Sequence, residues 1–132
     1  MDVMITLPKD LIDKILSGEK TIEVRKNYPR VFNRNYNWVY VVQKGTRNVV
    51  LKFEVVKFYF CGKERLWQVF ETGKIGIDFD WLKRYAERSD RFVCWYIGRI
   101  KSLIGLDATL DDYNVKTAPQ SFVYLEDWNF DN

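Results

Sequence analysis

The spacing of apolar positions predicts one strand and one helix at the start of the chain. Residues 4–7 (MITL) form an apolar run typical of a short strand. The next apolar residues recur at helical spacing and make one face: Leu11, Ile12, Ile15 and Leu16. Pro8 suits the first helical position, where a missing N–H costs nothing, and Gly18 suits the left-handed cap that ends a helix.

Residues 18–26 (GEKTIEVRK) continue from this helix into a stretch with period-two alternation. The two apolar residues of the predicted strand share one side, and Glu23 and Arg25 share the other. If the apolar pair faces the core, Glu23 and Arg25 project together from the opposite face, close enough to pair. Lys20 lies at the corner between helix and strand. The segment is therefore expected to present a Lys–Glu–Arg cluster at one corner of a sheet.

Long runs of β-branched and aromatic residues alternate with two helical stretches in the rest of the chain. The predicted strands cover residues 37–43, 48–60, 92–104 and 119–125, and the predicted helices cover residues 63–72 and 79–90. The residues of these helices expected to face inward are Leu66, Val69, Phe70, Trp81, Leu82 and Tyr85. Gly98, inside a predicted strand, indicates a bulge or a close approach of backbones.

About six strands with helices between them are too irregular for a parallel βαβ series. We expect an α+β fold, a small and mostly antiparallel β-barrel with helices packed on its outside. The length of 132 residues predicts a single domain over residues 1–132.

Composition places the chain among water-soluble proteins, with 47% hydrophobic and 30% charged residues. No apolar run approaches the ~20 residues that span a bilayer, and the N-terminus lacks the pattern of a secretory signal. We therefore expect a cytoplasmic protein with no membrane association. Cys61 and Cys94 are interpreted as buried free thiols, because a disulfide framework or a zinc site would need more ligands.

The absence of histidine excludes several kinds of chemistry at once. It removes Ser-His-Asp and Cys-His nucleophile systems and HExxH zinc hydrolysis. Neither a GxGxxG nor a GxxxxGK[ST] loop marks a dinucleotide or triphosphate site. We expect no cofactor and no metal, so any chemistry would depend on Lys, Glu, Asp, Tyr, Ser, Thr or a bound water.

Charge is distributed unevenly along the chain. Residues 20–52 carry eight Lys or Arg against one carboxylate, whereas residues 105–132 carry six carboxylates against one lysine. Five aromatic residues lie within the basic segment: Tyr28, Phe32, Tyr36, Trp38 and Tyr40. Rings among cations suit a phosphate chain and its bases, and they equally suit a barrel core whose charges face water. Lys26, Arg30 and Arg34 are interpreted as a solvated positive rim, and Trp81 and Trp95 as core residues.

The pattern Gly18-x-Lys20-x-x-x-x-Arg25, between a helix and a strand, resembles the signature of the ASCH domain family. Its surroundings are similar as well, with Tyr28-Pro29 after the motif and residues 119–122 (PQSF) before a closing strand. The similar segments lie near both ends of the chain. It implies a PUA-like β-barrel.

The resemblance further implies an RNA- or nucleotide-binding module with a cleft beside the barrel. Lys20 and Arg25 would be cationic anchors, Lys20 for phosphate and Arg25 for an anionic or carbonyl oxygen, and Glu23 would orient Arg25 or accept from a base amine. The residues expected to stack on or hydrogen-bond a base are Tyr28, Tyr36, Trp38, Gln120 and Ser121. A simple surface ion pair between Glu23 and Arg25 is the alternative interpretation.

Two other functions stay open. Some relatives deacetylate a modified cytidine with the motif Lys, a Thr three residues later and a distant Glu, and others cut RNA. Here Glu23 stands in the place of that Thr, so an enzyme would use Lys20 and Glu23 as an acid/base pair. The distant carboxylate would be Glu64, Glu71 or Glu87. The third function is a protein-interaction adaptor with a protein partner, and a small histidine-free chain of this kind would suit a phage.

Overall fold

The computed structural model describes residues 2–27 and 37–125. Its elements in chain order are β1 (Val3–Leu7), α1 (Lys9–Ser17), β2 (Ile22–Arg25), β3 (Asn37–Gln43), β4 (Val49–Cys61), α2 (Lys63–Glu71), α3 (Phe79–Ala86), β5 (Phe92–Ser102), a short 3₁₀ helix (Leu110–Tyr113) and β6 (Val123–Tyr124). The six strands form one sheet in the order β2-β5-β4-β3-β1-β6.

This sheet curls into a half-barrel that carries the three α-helices, so the expected α+β fold of the PUA-like type is confirmed. The β1–β3 pair is parallel, and the other four strand pairs are antiparallel. Among the described strands the half-barrel is open, because β2 and β6 are the two ends of the strand order.

Local sequence explains the first helix. Its apolar face is buried at Leu11, Ile12 and Ile15. Gly18 ends the helix with φ of 88°, as predicted, because this left-handed conformation is costly for residues with a Cβ. Pro8 is the N-cap and not the first helical residue, since its ψ of 159° is extended.

The two long strands, β4 and β5, are bent by register shifts. The β4–β5 pairing shifts between Phe53 and Val55 and again between Val55 and Lys57. A Cβ built on Gly98 would overlap Cγ1 of Val56, so only glycine allows the strands to approach this closely. The predicted bulge or close approach at Gly98 is confirmed.

Apolar side chains pack on both faces of the sheet. The inner face packs against α1 and includes Val3, Ile5, Val39, Phe53 and Trp95. One end of the outer face packs against α2 and α3 through Ile22, Val24, Phe92 and Cys94. The other end packs against residues 103–115 through Met4, Val42 and Val49. The middle of the outer face lies between these two clusters.

Several boundaries differ from the prediction. The third helix ends at Ala86 and not at residue 90, and the last strand is only Val123–Tyr124. The 3₁₀ helix was not predicted, although Thr109 and Asp112 form a capping box at its start. Trp81 was expected to face inward, but it is 45% exposed.

The thiols of Cys61 and Cys94 are free, as predicted, with their sulfur atoms 4.0 Å apart. Burial raises the pKa of Cys94 to about 12, and Cys61 is only half-buried. Among residues 2–27 and 37–125, no cluster of three metal-ligating side chains occurs. Within the same ranges, no helix combines the length and apolar character needed to cross a bilayer.

Candidate functional site

A cleft of about 670 Å³ opens beside the sheet. Its walls come from the β1–α1 corner, the start of β2, residues 75–78, α3 and residues 118–120. The predicted Lys–Glu–Arg cluster lies among the residues that line it: Lys20, Glu23 and Arg25.

Lys20 is an internal anchor of this cleft, with a relative exposure of 1%. Its Nζ donates to the carbonyl oxygens of Ile22 at 2.8 Å and Ile75 at 2.6 Å. The same Nζ lies 3.0 Å from Oε1 of Glu23. An ammonium group has three protons, and here each has an acceptor. A phosphate contact by Lys20, as expected from the resemblance, would require breaking one of these bonds.

Glu23 is buried between two cations. Lys20 holds Oε1, and Nε of Arg25 donates to Oε2 at 2.8 Å. Burial alone would raise the pKa of Glu23, but the charges and hydrogen bonds of Lys20 and Arg25 outweigh it and leave the pKa below 4.5. Glu23 is therefore an ionised carboxylate that fixes the direction of Arg25.

Arg25 is the member of the cluster that reaches solvent, with 14% of its side chain exposed. Its Nη1 donates to the carbonyl oxygen of Ser121 at 3.3 Å, and its guanidinium carbon lies 5.9 Å from the centroid of the Trp95 ring. Among the residues that the structure describes, none accepts a hydrogen bond from Nη2. One edge of the guanidinium is therefore fixed, and donor capacity remains for a ligand.

Backbone bonds from a distant segment fix the position of Lys20. The carbonyl oxygen of Lys74 accepts from the amides of Thr21 and Ile22 at 2.9 and 3.1 Å. Gly76 passes directly over Lys20, where a Cβ on the glycine would lie 3.0 Å from Cβ of the lysine. The positive φ of 80° at Gly76 also favours glycine.

Trp81 and Tyr85 form an aromatic wall of the cleft. Their rings are stacked, with centroids 5.1 Å apart and an interplanar angle of 16°. The Tyr85 hydroxyl accepts from the backbone amide of Lys26 at 2.9 Å. Burial raises the pKa of Tyr85, and the positive charge of Arg25 acts in the opposite direction.

The sequence interpretation missed this wall because it assigned Trp81 to the core. The Asp78 side chain caps α3 by accepting from the amide of Trp81 at 2.8 Å. From this start, the buried positions are Leu82 and Ala86, and Trp81 and Tyr85 form the adjacent i, i+4 row. The aromatic pair at that spacing was the available signal.

The two polar residues predicted near the C-terminus both come close to the cluster. Gln120 lines the cleft. Ser121 contacts Arg25 through its carbonyl oxygen, while its hydroxyl oxygen accepts from Nδ2 of Asn27 at 3.0 Å. The hydroxyl of Thr6 donates to the carbonyl oxygen of Pro119 at 2.7 Å, which holds this segment against β1.

The remaining residues singled out in the sequence either fall outside the described residues or do not line the cleft. Tyr28, Arg30, Arg34 and Tyr36 are outside the described residues. Trp38 lies on the outer sheet face, where its ring centroid is 4.6 Å from Nζ of Lys52. The proposed distant carboxylates, Glu64, Glu71 and Glu87, are not among the described residues that line the cleft; besides Glu23, the carboxylates there are Asp10 and Asp78.

The Glu23 carboxylate is expected to make the fold sensitive to acid. Because the folded-state pKa lies below 4.5, the ionised form stabilises the fold above that pH, and this stabilisation is lost as the pH falls through the folded-state pKa. Glu23→Gln should make the free energy of unfolding fall less steeply below about pH 5, by up to about 1.4 kcal/mol per pH unit. Urea titrations at several pH values measure how the free energy of unfolding of the parent and of Glu23→Gln depends on pH. An equal pH dependence of the two proteins would contradict the assignment of Glu23 as an ionised carboxylate.

Comparisons with known proteins agree with this fold. No protein-family model and no curated protein matches the sequence. Solved structures of ASCH domain proteins do match, and the chain has an ASCH-like fold.

These structures come from one organism. The ASCH protein of Zymomonas mobilis superposes with a TM-score of 0.80 at 16% identity, over 98% of this chain and 91% of that one. A Tyr-to-Phe variant of it gives a TM-score of 0.79 at 17% identity, over 98% of this chain and 94% of the variant. A Ser-to-Ala variant gives 0.82 at 15% identity, over 98% and 92%. At such identities the similarity concerns the fold.

Proposed function

We propose that this chain is an RNA-binding module that takes a nucleotide of single-stranded RNA into the cleft. The observation that carries the proposal is the arrangement at the cleft: an arginine with 14% of its side chain exposed is held by a buried carboxylate, beside a stacked aromatic pair. The ASCH-like fold supports it, because the family is described as RNA-associated.

Arg25 would bind an anionic or carbonyl oxygen of the ligand. Glu23 holds its Nε at 2.8 Å, and this pairing reduces the number of side-chain rotamers that must be fixed on binding. A guanidinium offers several donors in one plane, which suits phosphate oxygens and the carbonyl edge of a base.

Trp81 would provide the surface on which a base stacks. Its ring is 45% exposed, and Tyr85 supports it from one side. Stacking of a base on an aromatic ring contributes roughly 1–3 kcal/mol and tolerates all four bases. Gln120, at the rim, could exchange hydrogen bonds with a base edge.

The buried pair supports binding in preference to turnover. Lys20 and Glu23 were the candidate acid and base of an enzyme, but each polar atom of the two side chains is already engaged within the protein. Their role in the proposal is to position Arg25 and to fix the floor of the cleft.

Replacing Trp81 by alanine should weaken RNA binding without unfolding the protein. We expect the dissociation constant of a fluorescein-labelled tetranucleotide RNA of randomised sequence to rise about 5- to 150-fold, the equivalent of ~1–3 kcal/mol of lost stacking. Fluorescence anisotropy at low salt measures this directly.

Phe79→Ala is the matched control for this substitution. Phe79 lies on the same helix and is 48% exposed, but its ring packs against Trp67 and Phe70 outside the cleft. The control should bind the tetranucleotide as the parent does. Equal binding by the parent and the Trp81→Ala protein would refute a stacking role for this wall.

A further inference from the structure

The middle of the outer sheet face carries rings and cations side by side. We name this surface the outer strip and define it by six residues: Trp38 and Tyr40 on β3, Lys52, Lys57 and Tyr59 on β4, and Tyr96 on β5. It does not overlap the cleft lining, and the proposed function does not use it.

Strand register places these side chains on one face. Tyr40 lies opposite Lys52 in the β3–β4 pair, and Lys57 lies opposite Tyr96 in the β4–β5 pair. Residues between them in the sequence, such as Val39 and Phe53, belong to the inner core. The outer strip therefore lies between the end covered by α2 and α3 and the end covered by residues 103–115.

Each lysine of the outer strip contacts two rings. Nζ of Lys52 lies 4.6 Å from the Trp38 centroid and 5.4 Å from the Tyr40 centroid. Nζ of Lys57 lies 4.8 Å from the Tyr96 centroid and 5.3 Å from the Tyr59 centroid. The same two-ring arrangement thus occurs twice along β4. The stretch of strand from Lys52 to Tyr59 that carries both arrangements is seven residue steps long, roughly 23 Å.

Two arginines extend the positive charge of the strip. The guanidinium of Arg99 lies 5.3 Å from the Trp38 centroid, and that of Arg65 lies 5.9 Å from the Tyr59 centroid. Glu54 is the carboxylate of β4 on this face, and Arg99 binds both of its oxygens, at 2.9 and 3.4 Å. Asp2, whose Oδ1 accepts from the backbone amide of Trp38 at 3.3 Å, is a second carboxylate here, so among the described residues four cations stand against two carboxylates along the strip.

From this arrangement we propose that the outer strip is a second binding surface, for a single-stranded polynucleotide. A polyanion with flat bases matches both of its components, because the ammonium groups pair with phosphates and the rings stack with bases. Four-stranded sheets of other folds bind single-stranded RNA through exposed aromatic residues in the same way.

The existing contacts can be exchanged at low cost. A cation–π pair at an exposed site contributes only ~0.5–1 kcal/mol, whereas stacking of a base contributes roughly 1–3 kcal/mol. Lys57 is exposed and Tyr59 is 43% exposed, so the ammonium can turn to a phosphate while the ring receives a base.

The test compares two double variants that lose the same charge. Lys52→Gln/Lys57→Gln changes the outer strip, and Lys83→Gln/Lys116→Gln removes two exposed lysines that lie outside both the strip and the cleft lining. Fluorescence anisotropy with labelled U12 RNA and dT12 DNA from 50 to 300 mM salt gives the slope of log K against log salt. Thermal melting confirms that both variants are folded.

We expect the outer-strip variant to bind U12 about tenfold more weakly at 50 mM salt, with a slope smaller by about 1.4, because two phosphate contacts are lost. The control should keep the slope of the parent. Comparison of U12 with dT12 shows whether RNA or DNA is preferred. Equal slopes for the two variants, or no binding of either oligonucleotide by the parent at 50 mM salt, would overturn the proposal.

The result of the outer-strip test can be distinguished from the result of the cleft experiments. The outer-strip variant should still bind the tetranucleotide as the parent does. In a protein that carries Trp81→Ala, changing the two lysines of the strip should still reduce the slope of log K against log salt for U12 by the same amount. Loss of tetranucleotide binding in the outer-strip variant would show that there is one surface and not two.

Discussion

Replacing Lys20 by alanine is expected to lower the free energy of unfolding by about 3–5 kcal/mol. The substitution removes a cation that is 1% exposed and leaves Oε1 of Glu23 buried without its partner. It also removes the donor to the carbonyl oxygens of Ile22 and Ile75. Breaking a buried ion pair from one side is costly because the remaining charge cannot return to water.

Lys14→Ala is the control for this prediction. Its Nζ also donates across the cleft, to the carbonyl oxygen of Gly76 at 2.8 Å, but the side chain is only half-buried and has no carboxylate partner among the described residues. Urea denaturation should show a cost near 1 kcal/mol for this single hydrogen bond. Similar small costs for the two lysines would contradict the assignment of Lys20 as an internal anchor.

The double variant Lys20→Ala/Glu23→Ala separates pairing from packing. If the pair is coupled, removing both charges should cost less than the sum of the two single substitutions, because neither charge is left alone in the interior. Additive costs would indicate that the two side chains stabilise the fold independently.

The first quarter of the fold follows from local sequence. The apolar face of α1, the glycine at its end and the alternation of β2 are all determined by neighbours within a few residues. Pairing of Glu23 with Arg25 followed from strand parity for the same reason. Gly98 indicated the close approach of two strands because no other residue fits there.

Features that depend on distant partners could not be predicted. The parallel pairing of β1 with β3 joins residues separated by more than thirty positions, and no local pattern specifies it. Lys20 is buried because the carbonyl oxygen of Ile75 and the glycine at 76 approach it, 55 residues further on. The exposure of Trp81 depends on where α3 begins, and the capping by Asp78 sets that point.

Arg25→Ala is expected to have the largest effect on binding. Arg25 is the cation of the cluster that reaches solvent, and Glu23 fixes its orientation. Truncating one member of a desolvated charge pair in an interface commonly costs 2–5 kcal/mol. We therefore expect the affinity for the tetranucleotide RNA to fall by about 30-fold or more.

Two further variants give this experiment its controls. Arg25→Lys keeps a positive charge beside Glu23 but loses the planar fork, so its affinity should lie between those of the parent and the alanine variant. Arg88→Ala removes the same charge from an exposed position outside the cleft lining and should leave the affinity unchanged.

The central claim is that the buried ammonium and carboxylate hold one guanidinium ready for a ligand. Its most direct test is the dissociation constant of the tetranucleotide for Arg25→Ala, measured by anisotropy below the melting temperature of every variant compared. We expect this dissociation constant to rise about 30-fold or more, whereas that of the Arg88→Ala control should stay unchanged. A folded Arg25→Ala protein that binds as tightly as the parent would contradict it.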